Sequence, residues 1–196
     1  YSNMMKEKNV PDWYIESCRR IEYMFPKGHA VAYVMMAMRI AYFKVHKPLA
    51  FYAAFLSRKA DDFDMEVMSK GVLAKQKLEE LSKEPKLDPK KKNEQAICEI
   101  VVELEARGIE LLPVDIYLSE GRKFKIEDGK IRIPLIGISG LGGAVIENIL
   151  KEREEAKFIS VEDLKRRTKM SQTVADKLKS IGAISSLSET NQISLF

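Results

Sequence analysis

The sequence predicts a mainly α-helical protein that carries one small β-hairpin. Apolar residues recur at helical spacing before residue 113 and again after Gly143. Between these parts, residues 124–133 alternate apolar and charged side chains around Asp128-Gly129, a dipeptide typical of tight hairpin turns. The chain has 196 residues, of which 45% are hydrophobic and 32% charged, so it fits one or two ordinary globular domains.

The order of these elements predicts three parts. Helices occupy residues 1–113, the hairpin and a second set of helices occupy residues 114–184, and a polar, flexible tail covers residues 185–196. Because the chain begins at Tyr1 without an initiator Met, we expect a fragment of a larger protein; removal of a tag or processing would also explain this start.

The first part contains the longest apolar run of the chain. A helix start is predicted at Val10-Pro11-Asp12, and Pro26 interrupts the pattern before the stretch HAVAYVMMAMRIAYFKVH. This stretch is apolar nearly all round, which predicts a helix buried in a large body. Arg39 and Lys44 make it too charged and too short to span a bilayer, so no membrane partner is expected.

The middle of the chain and its overall charge are less informative. The stretch SKEPKLDPKKKNE predicts an exposed connection, and its Lys90–Lys92 run fits a solvated loop better than a DNA contact. A helix resumes over residues 96–107. The net charge of +4 does not by itself indicate a nucleic-acid partner. Cys18 and Cys98 lack metal-binding spacing and suit reduced thiols in a cytoplasmic protein.

A glycine turn ahead of a helix carries the clearest chemistry. In Ser139-Gly140-Leu141-Gly142-Gly143, glycines let the backbone approach another group closely, and unpaired N–H groups at the helix start can bind a phosphate. This is the arrangement of a helix-hairpin-helix, which grips the DNA backbone without reading bases. Lys151 and Arg153 on the following helix are further candidate DNA contacts. The glycine spacing fits neither a dinucleotide-binding fingerprint nor a Walker A motif.

A second helix–turn–helix follows directly. Helices are predicted over residues 160–167 and 172–181, with Ser160 and Ser171 as N-caps and Gly182 as the stop. The turn between them lacks glycine, so we expect a tandem helix-hairpin-helix whose second turn serves packing more than phosphate binding.

A second candidate site lies in FPKGHAVAY, at the start of the long apolar helix. Lys27 offers a point charge suited to phosphate, and His29 and Tyr33 are four residues apart and share one helical face. Their rings could pack against a base, but such residues also serve capping and core closure at helix starts.

The continuous stretch from Val10 to Met68, which includes FPKGHAVAY, resembles the fingers region of the C-family bacterial replicative DNA polymerases, specifically the PolC type. The resemblance continues through ARGIELLPVDIYLSE and GISGLGG to the terminal NQISLF. The resemblance covers nearly the whole chain and is weakest over residues 72–95. It implies a C-terminal fragment of such a polymerase, which carries part of the fingers, a tandem helix-hairpin-helix and a tail.

The resemblance also implies roles for the candidate residues. Lys27, His29 and Tyr33, with Arg39 more distant, would line the wall that meets the incoming dNTP. The Ser139–Gly143 turn would bind the minor-groove side of the primer-template duplex. The tail would bind the sliding clamp, which explains a polar terminus that ends on two large apolar residues. Its matching residues are Gln192, Ile193, Leu195 and Phe196, and Ile193 replaces the commoner leucine.

The chemistry of such a polymerase would lie outside this chain. Mg²⁺ would be bound by palm aspartates, and the palm and exonuclease would belong to the remainder of the polymerase. The cluster Asp61, Asp62 and Asp64 does not match the palm motif, so we expect the chain alone, without cofactor or metal, to incorporate no nucleotide. The alternative is a free-standing helix-hairpin-helix adaptor that tethers to the clamp. Either protein would act in the bacterial cytoplasm, at the replisome.

Overall fold

The computed structural model describes residues 1–21 and 26–190, which confirm a mainly helical fold with one small sheet. The chain divides into two compact units, Tyr1–Tyr42 and Phe43–Phe196. This division does not coincide with the boundary expected near residue 113. In the second unit, one continuous core takes buried side chains from both sides of residue 113, such as Leu56 and Ile97 before it and Ile133 and Leu164 after it.

The first unit is a set of helices with little core of its own. Its helices are α1 (Ser2–Glu7), α2 (Asp12–Arg20) and α3 (Lys27–His46), the last of which continues into the second unit. Asp12 lies in the first turn of α2 and Arg19 and Arg20 in its last turn, as the helix dipole favours. Ile15 is the one residue of this unit that is fully buried within its described part.

The prediction that the apolar helix is buried is wrong for this chain. Helix α3 has no buried residue among its twenty, and apolar side chains are exposed along its length, including Val34, Met38 and Ile40. The sequence showed that α3 needs an apolar environment, but the described part of the chain does not cover it. None of the described helices is both long and apolar enough to cross a bilayer.

The second unit packs seven further helices around a small sheet in its described part. The helices are α4 (Pro48–Arg58), α5 (Met65–Met68), α6 (Gly71–Ser82), α7 (Pro89–Ala106), α8 (Gly143–Glu155), α9 (Val161–Thr168) and α10 (Gln172–Ser180). The strands are β1 (Leu111–Leu112), β2 (Lys125–Glu127) and β3 (Lys130–Arg132). Short 3₁₀ turns lie at Ala60–Asp62 and Leu135–Gly137.

The predicted β-hairpin is confirmed. Strands β2 and β3 pair antiparallel with Ile126 opposite Ile131, and both turn residues have positive φ, 49° at Asp128 and 78° at Gly129. Two positive φ values define the turn that matches strand twist in a two-residue hairpin loop. Strand β1 pairs parallel with β3 and was not predicted, because two residues are too few to show a period.

Helix α7 begins earlier than the sequence suggested. It starts at Pro89 and therefore includes the Lys90–Lys92 run, which had been assigned to an exposed loop. Asp88 is the N-cap, and its Oδ1 accepts the N–H of Lys91 at 2.8 Å. Pro89 suits the first helical position because its missing N–H would be unpaired there.

One arginine joins α8 to α9. The Arg167 guanidinium donates to Oε2 of Glu152 at 3.0 Å and to the carbonyl of Ala156 at 3.1 Å. It also lies 4.6 Å from the centre of the Phe158 ring and donates to the buried carboxylate of Asp163. This group of contacts fixes the second helix pair against the end of α8.

The segment before the terminus is ordered against α9. Residues 185–190 were expected to start a flexible tail. Instead, the N–H of Val161 donates to the carbonyl of Ser188 at 2.8 Å, and the N–H of Glu162 donates to the carbonyl of Glu189 at 3.2 Å. Ser160 and Ser188 form a β-bridge. A polar sequence gives no indication of tertiary hydrogen bonds of this kind.

The stability of the α8–α9 junction should depend on the charge of Asp163. Burial alone would raise the pKa of Asp163, but hydrogen bonds from Arg166, the Ile159 amide and Arg167 outweigh it and hold the pKa below its usual value. Stabilisation from a lowered pKa is present above the unfolded-state pKa and is lost as the pH falls through the folded-state pKa.

We therefore expect Asp163→Asn to lower the free energy of unfolding by about 1–3 kcal/mol at neutral pH. The deficit should shrink as the pH falls below about 4, the ordinary pKa of Asp, because the unfolded chain then binds a proton that the folded Asp163 takes up only at lower pH. Urea unfolding at pH 7 and pH 3 measures both values, with Glu155→Gln, in an exposed ion pair, as the control. A deficit of equal size at both pH values would contradict the role of the charge.

Candidate nucleic-acid interface

The glycine turn ahead of α8 is built around one buried side chain. Gly140 has a φ of 87°, which favours glycine, and the next side chain, Leu141, is buried. The N–H of Leu141 donates to the carbonyl of Ile138 at 3.1 Å and closes the turn. Gly142 is the N-cap of α8, with φ −70° and ψ 150°. The turn therefore leads directly into the helix and stays on the surface.

Backbone donors at this turn have no acceptor within residues 1–21 and 26–190. They are the N–H groups of Gly140, Gly142, Gly143 and Ala144. The first turn of an α-helix leaves its N–H groups without helical partners, and the helix dipole makes that end attractive to an anion. These amides are available to an acceptor from outside the described chain.

The fold itself does not require glycine at residues 142 and 143. A Cβ built on either residue meets no protein atom within 4 Å. A Cβ on Gly137, by contrast, would lie 2.9 Å from Cγ2 of Ile133. Packing explains the glycine at 137, whereas at 142 and 143 the missing side chain leaves open space on the outer surface.

Lys177 contacts the glycine turn, and the sequence did not predict this contact. Nζ of Lys177, on α10, donates to the carbonyl of Ser139 at 2.9 Å and pairs with Oε1 of Glu66 at 2.7 Å. The turn is thereby connected to the last helix of the unit. Lys177 is an ordinary lysine in an amphipathic helix, so its sequence position gives no sign of this contact.

The second turn repeats the backbone of the first. Lys169 has a φ of 58°, Met170 is buried, and Ser171 is the N-cap of α10 with φ −73° and ψ 161°. Lys169 and Ser171 thus match Gly140 and Gly142 in backbone conformation, and the buried Met170 corresponds to Leu141. The predicted N-caps are confirmed. Oγ of Ser160 accepts the N–H of Asp163 at 3.0 Å, and Oγ of Ser171 accepts the N–H of Val174 at 3.3 Å.

The basic residues predicted on α8 are not brought to the turn. Arg153 lies about 15 Å along the helix from Gly143, and Lys151 about 12 Å. Nη1 of Arg153 donates to the carbonyls of Ile116 and Ser119, at 3.0 and 2.7 Å, so this guanidinium binds the protein's own backbone. Lys151 is exposed and lies 3.9 Å from Glu155. DNA contacts by these two residues stay predictions.

In the first unit, the structure brings together two of the residues predicted for the nucleotide wall. The rings of His29 and Tyr33 lie 4.4 Å apart between centroids, and both side chains are exposed on α3, as is Lys27. Arg39 is six residues beyond Tyr33 and therefore about 120° away around the helix. His29 and Tyr33 form one surface, and Arg39 lies outside it.

The predicted clamp-binding residues Gln192, Ile193, Leu195 and Phe196 lie outside the described residues. Within the described residues, no group of three or more His, Cys, Asp or Glu side chains could hold a metal ion. Of the acidic cluster near residue 60, Asp61 pairs with Arg122, and Asp64 caps α5. Both carboxylates therefore have partners within the described chain.

Most of the second half of the chain is similar to a known motif family. Residues 108–193 match the helix-hairpin-helix motif family, which covers the glycine turn and the α9–α10 pair. The module that the geometry defines is therefore of the helix-hairpin-helix class.

The chain is also similar to DNA polymerase III of PolC type. It is 50% identical over 193 residues to that of Thermotoga petrophila, 51% identical over 195 residues to that of Clostridium perfringens and 47% identical over 194 residues to that of Bacillus subtilis. In each case the alignment covers 98% of this chain and 14% of the relative. The resemblance to PolC-type polymerases is confirmed along nearly the whole chain, which spans a small part of the relatives' length.

Proposed function

We propose that this chain is a duplex-binding part of a replicative DNA polymerase and that its glycine turn holds the sugar-phosphate backbone. The observation that carries the proposal is the set of N–H groups at the start of α8 without an acceptor in the described chain. A phosphate oxygen would satisfy these donors and is favoured by the helix dipole. Such binding is independent of base sequence, because every nucleotide offers the same phosphate.

The glycines support the same conclusion. In a helix, alanine is more favourable than glycine by roughly 0.8–1.0 kcal/mol, and a Cβ at Gly143, the first residue of α8, would clash with nothing. The fold should therefore be no less stable with alanine at residue 143. A strand that approaches the backbone closely needs the open space that glycine leaves.

Similarity to polymerases over 98% of the chain favours this function over a free-standing adaptor. An adaptor that needs only a DNA-binding module and a tail has no use for helices α1–α3, which the similarity includes.

The glycine turn can be tested by adding a side chain to it. We expect Gly143→Leu to weaken binding of a labelled duplex about 10–100-fold, since the loss of charge-assisted hydrogen bonds costs about 1.5–3 kcal/mol. Urea unfolding should show no loss of stability. Gly28→Leu is the matched control, because Gly28 also lies in the first turn of a helix with open space at its Cβ. Equal duplex affinity of both variants and the wild type would refute the assignment.

We further propose that His29, Tyr33 and Lys27 contribute to a nucleotide-binding surface in the complete polymerase. The contact between two exposed rings supports this, since such rings can stack on a base, which is worth about 1–3 kcal/mol per base. Arg39 is proposed only as a more distant contact.

In a full-length PolC-type polymerase that carries this segment, Tyr33→Ala should raise the KM for dNTP about 5–100-fold. Tyr42→Ala is the matched control, because Tyr42 is an exposed tyrosine on the opposite side of α3. Steady-state primer extension measures both values. An unchanged KM for Tyr33→Ala, or the same increase for both variants, would remove Tyr33 from the nucleotide site.

The terminal residues are proposed to bind the sliding clamp, on the strength of the sequence Gln192-Ile193-Ser194-Leu195-Phe196 alone. Burial of two large apolar side chains is worth about 1.5–3 kcal/mol each. Deletion of Leu195 and Phe196 should therefore abolish clamp binding in surface plasmon resonance, while Ser194→Ala should have little effect. Duplex affinity should not change. Clamp binding that survives the deletion would contradict this proposal.

A further inference from the structure

A cleft opens beside the glycine turn on the surface of the second unit. Its volume is about 450 Å³, within the size range of ligand-binding clefts. Its walls are residues 61–64, the first turns of α7 and the turn itself, residues 138–142. An anion bound by the turn would therefore lie at the edge of a space that α7 also lines.

The carboxylates of this cleft already have partners. Asp61 pairs with Arg122, Asp62 with the side-chain amide of Asn93, Asp64 with the N–H of Glu66, and Glu94 with Lys77. Arg122 and Lys77 offset the repulsion that Asp61 and Glu94 would exert on a phosphate, whereas Asp62 and Asp64 are hydrogen-bonded to neutral groups and keep their charge.

Lys90 is the cation of this cleft. It is exposed, and its ammonium makes no ion pair with any residue in the described part of the chain. The neighbouring Lys91, in contrast, pairs with Glu84 at 2.6 Å. Lys90 also lies in the first turn of α7, which contains no acidic residue. A positive charge at a helix N-terminus is unfavourable by about 0.3–1 kcal/mol, so Lys90 does not stabilise its own helix.

We propose that Lys90 contacts a phosphate of the strand that the glycine turn holds, so that the first turn of α7 extends the duplex interface. This inference rests on the proposed function of the turn. Two different elements would then bind one strand, the turn through backbone amides and α7 through an ammonium. The sequence had favoured a solvated loop for this lysine run, and the α-helical geometry places Lys90 at the cleft.

The test compares Lys90→Ala with Lys92→Ala in the 196-residue chain. Lys92 is exposed on the same turn of α7 but does not line the cleft, and both variants lose one charge. Affinity for a fluorescent duplex is measured by anisotropy over a range of salt concentrations. Each phosphate contact contributes about 0.9 to the slope of log K against log[salt]. We expect the slope for Lys90→Ala to become shallower by about this amount, with affinity several-fold weaker for every duplex sequence.

Lys92→Ala should keep the wild-type slope of log K against log[salt]. Equal slopes for both variants and the wild type, or equal decreases for both, would overturn the role of Lys90. If at the same time Gly143→Leu weakens binding, the function proposed for the turn still holds. A wild-type chain whose duplex binding is absent or insensitive to salt would overturn the proposed function and the Lys90 contact together.

Discussion

The amides of Gly140, Gly142 and Gly143 need an acceptor that the described chain does not supply. Backbone N–H groups are strong donors, and nearly all of them in folded proteins bond to protein, water or ligand. At four other helix starts of the second unit an Asp or Ser side chain meets part of this need, as Ser160 does for α9. Helix α8 has a glycine in that position, so its first turn stays open to a partner.

The rest of the second unit keeps this turn in place. Leu141 anchors it in the core, Lys177 binds its Ser139 carbonyl, and Arg167 fixes the far end of α8 against α9. Donors placed in advance lose little conformational entropy when a ligand arrives, which favours binding. The core that crosses residue 113 makes the turn part of a body larger than a helix pair.

Sequence reasoning found the features that rest on local chemistry. The hairpin at Asp128-Gly129 and the serine caps follow from backbone conformations and hydrogen bonds within a few residues. It missed the start of α7, because lysines after Pro89 look like a loop unless Asp88 is recognised as a cap. It could not find the contact of Lys177, nor what surrounds α3, because both depend on groups distant in sequence or outside the described chain.

The β-bridge between Ser160 and Ser188 joins the segment after α10 to the start of α9. The carbonyls of Ser188 and Glu189 accept the N–H groups of Val161 and Glu162, at 2.8 and 3.2 Å. The segment after α10 therefore supplies acceptors for two first-turn N–H groups of α9, a need that the start of α8 leaves open.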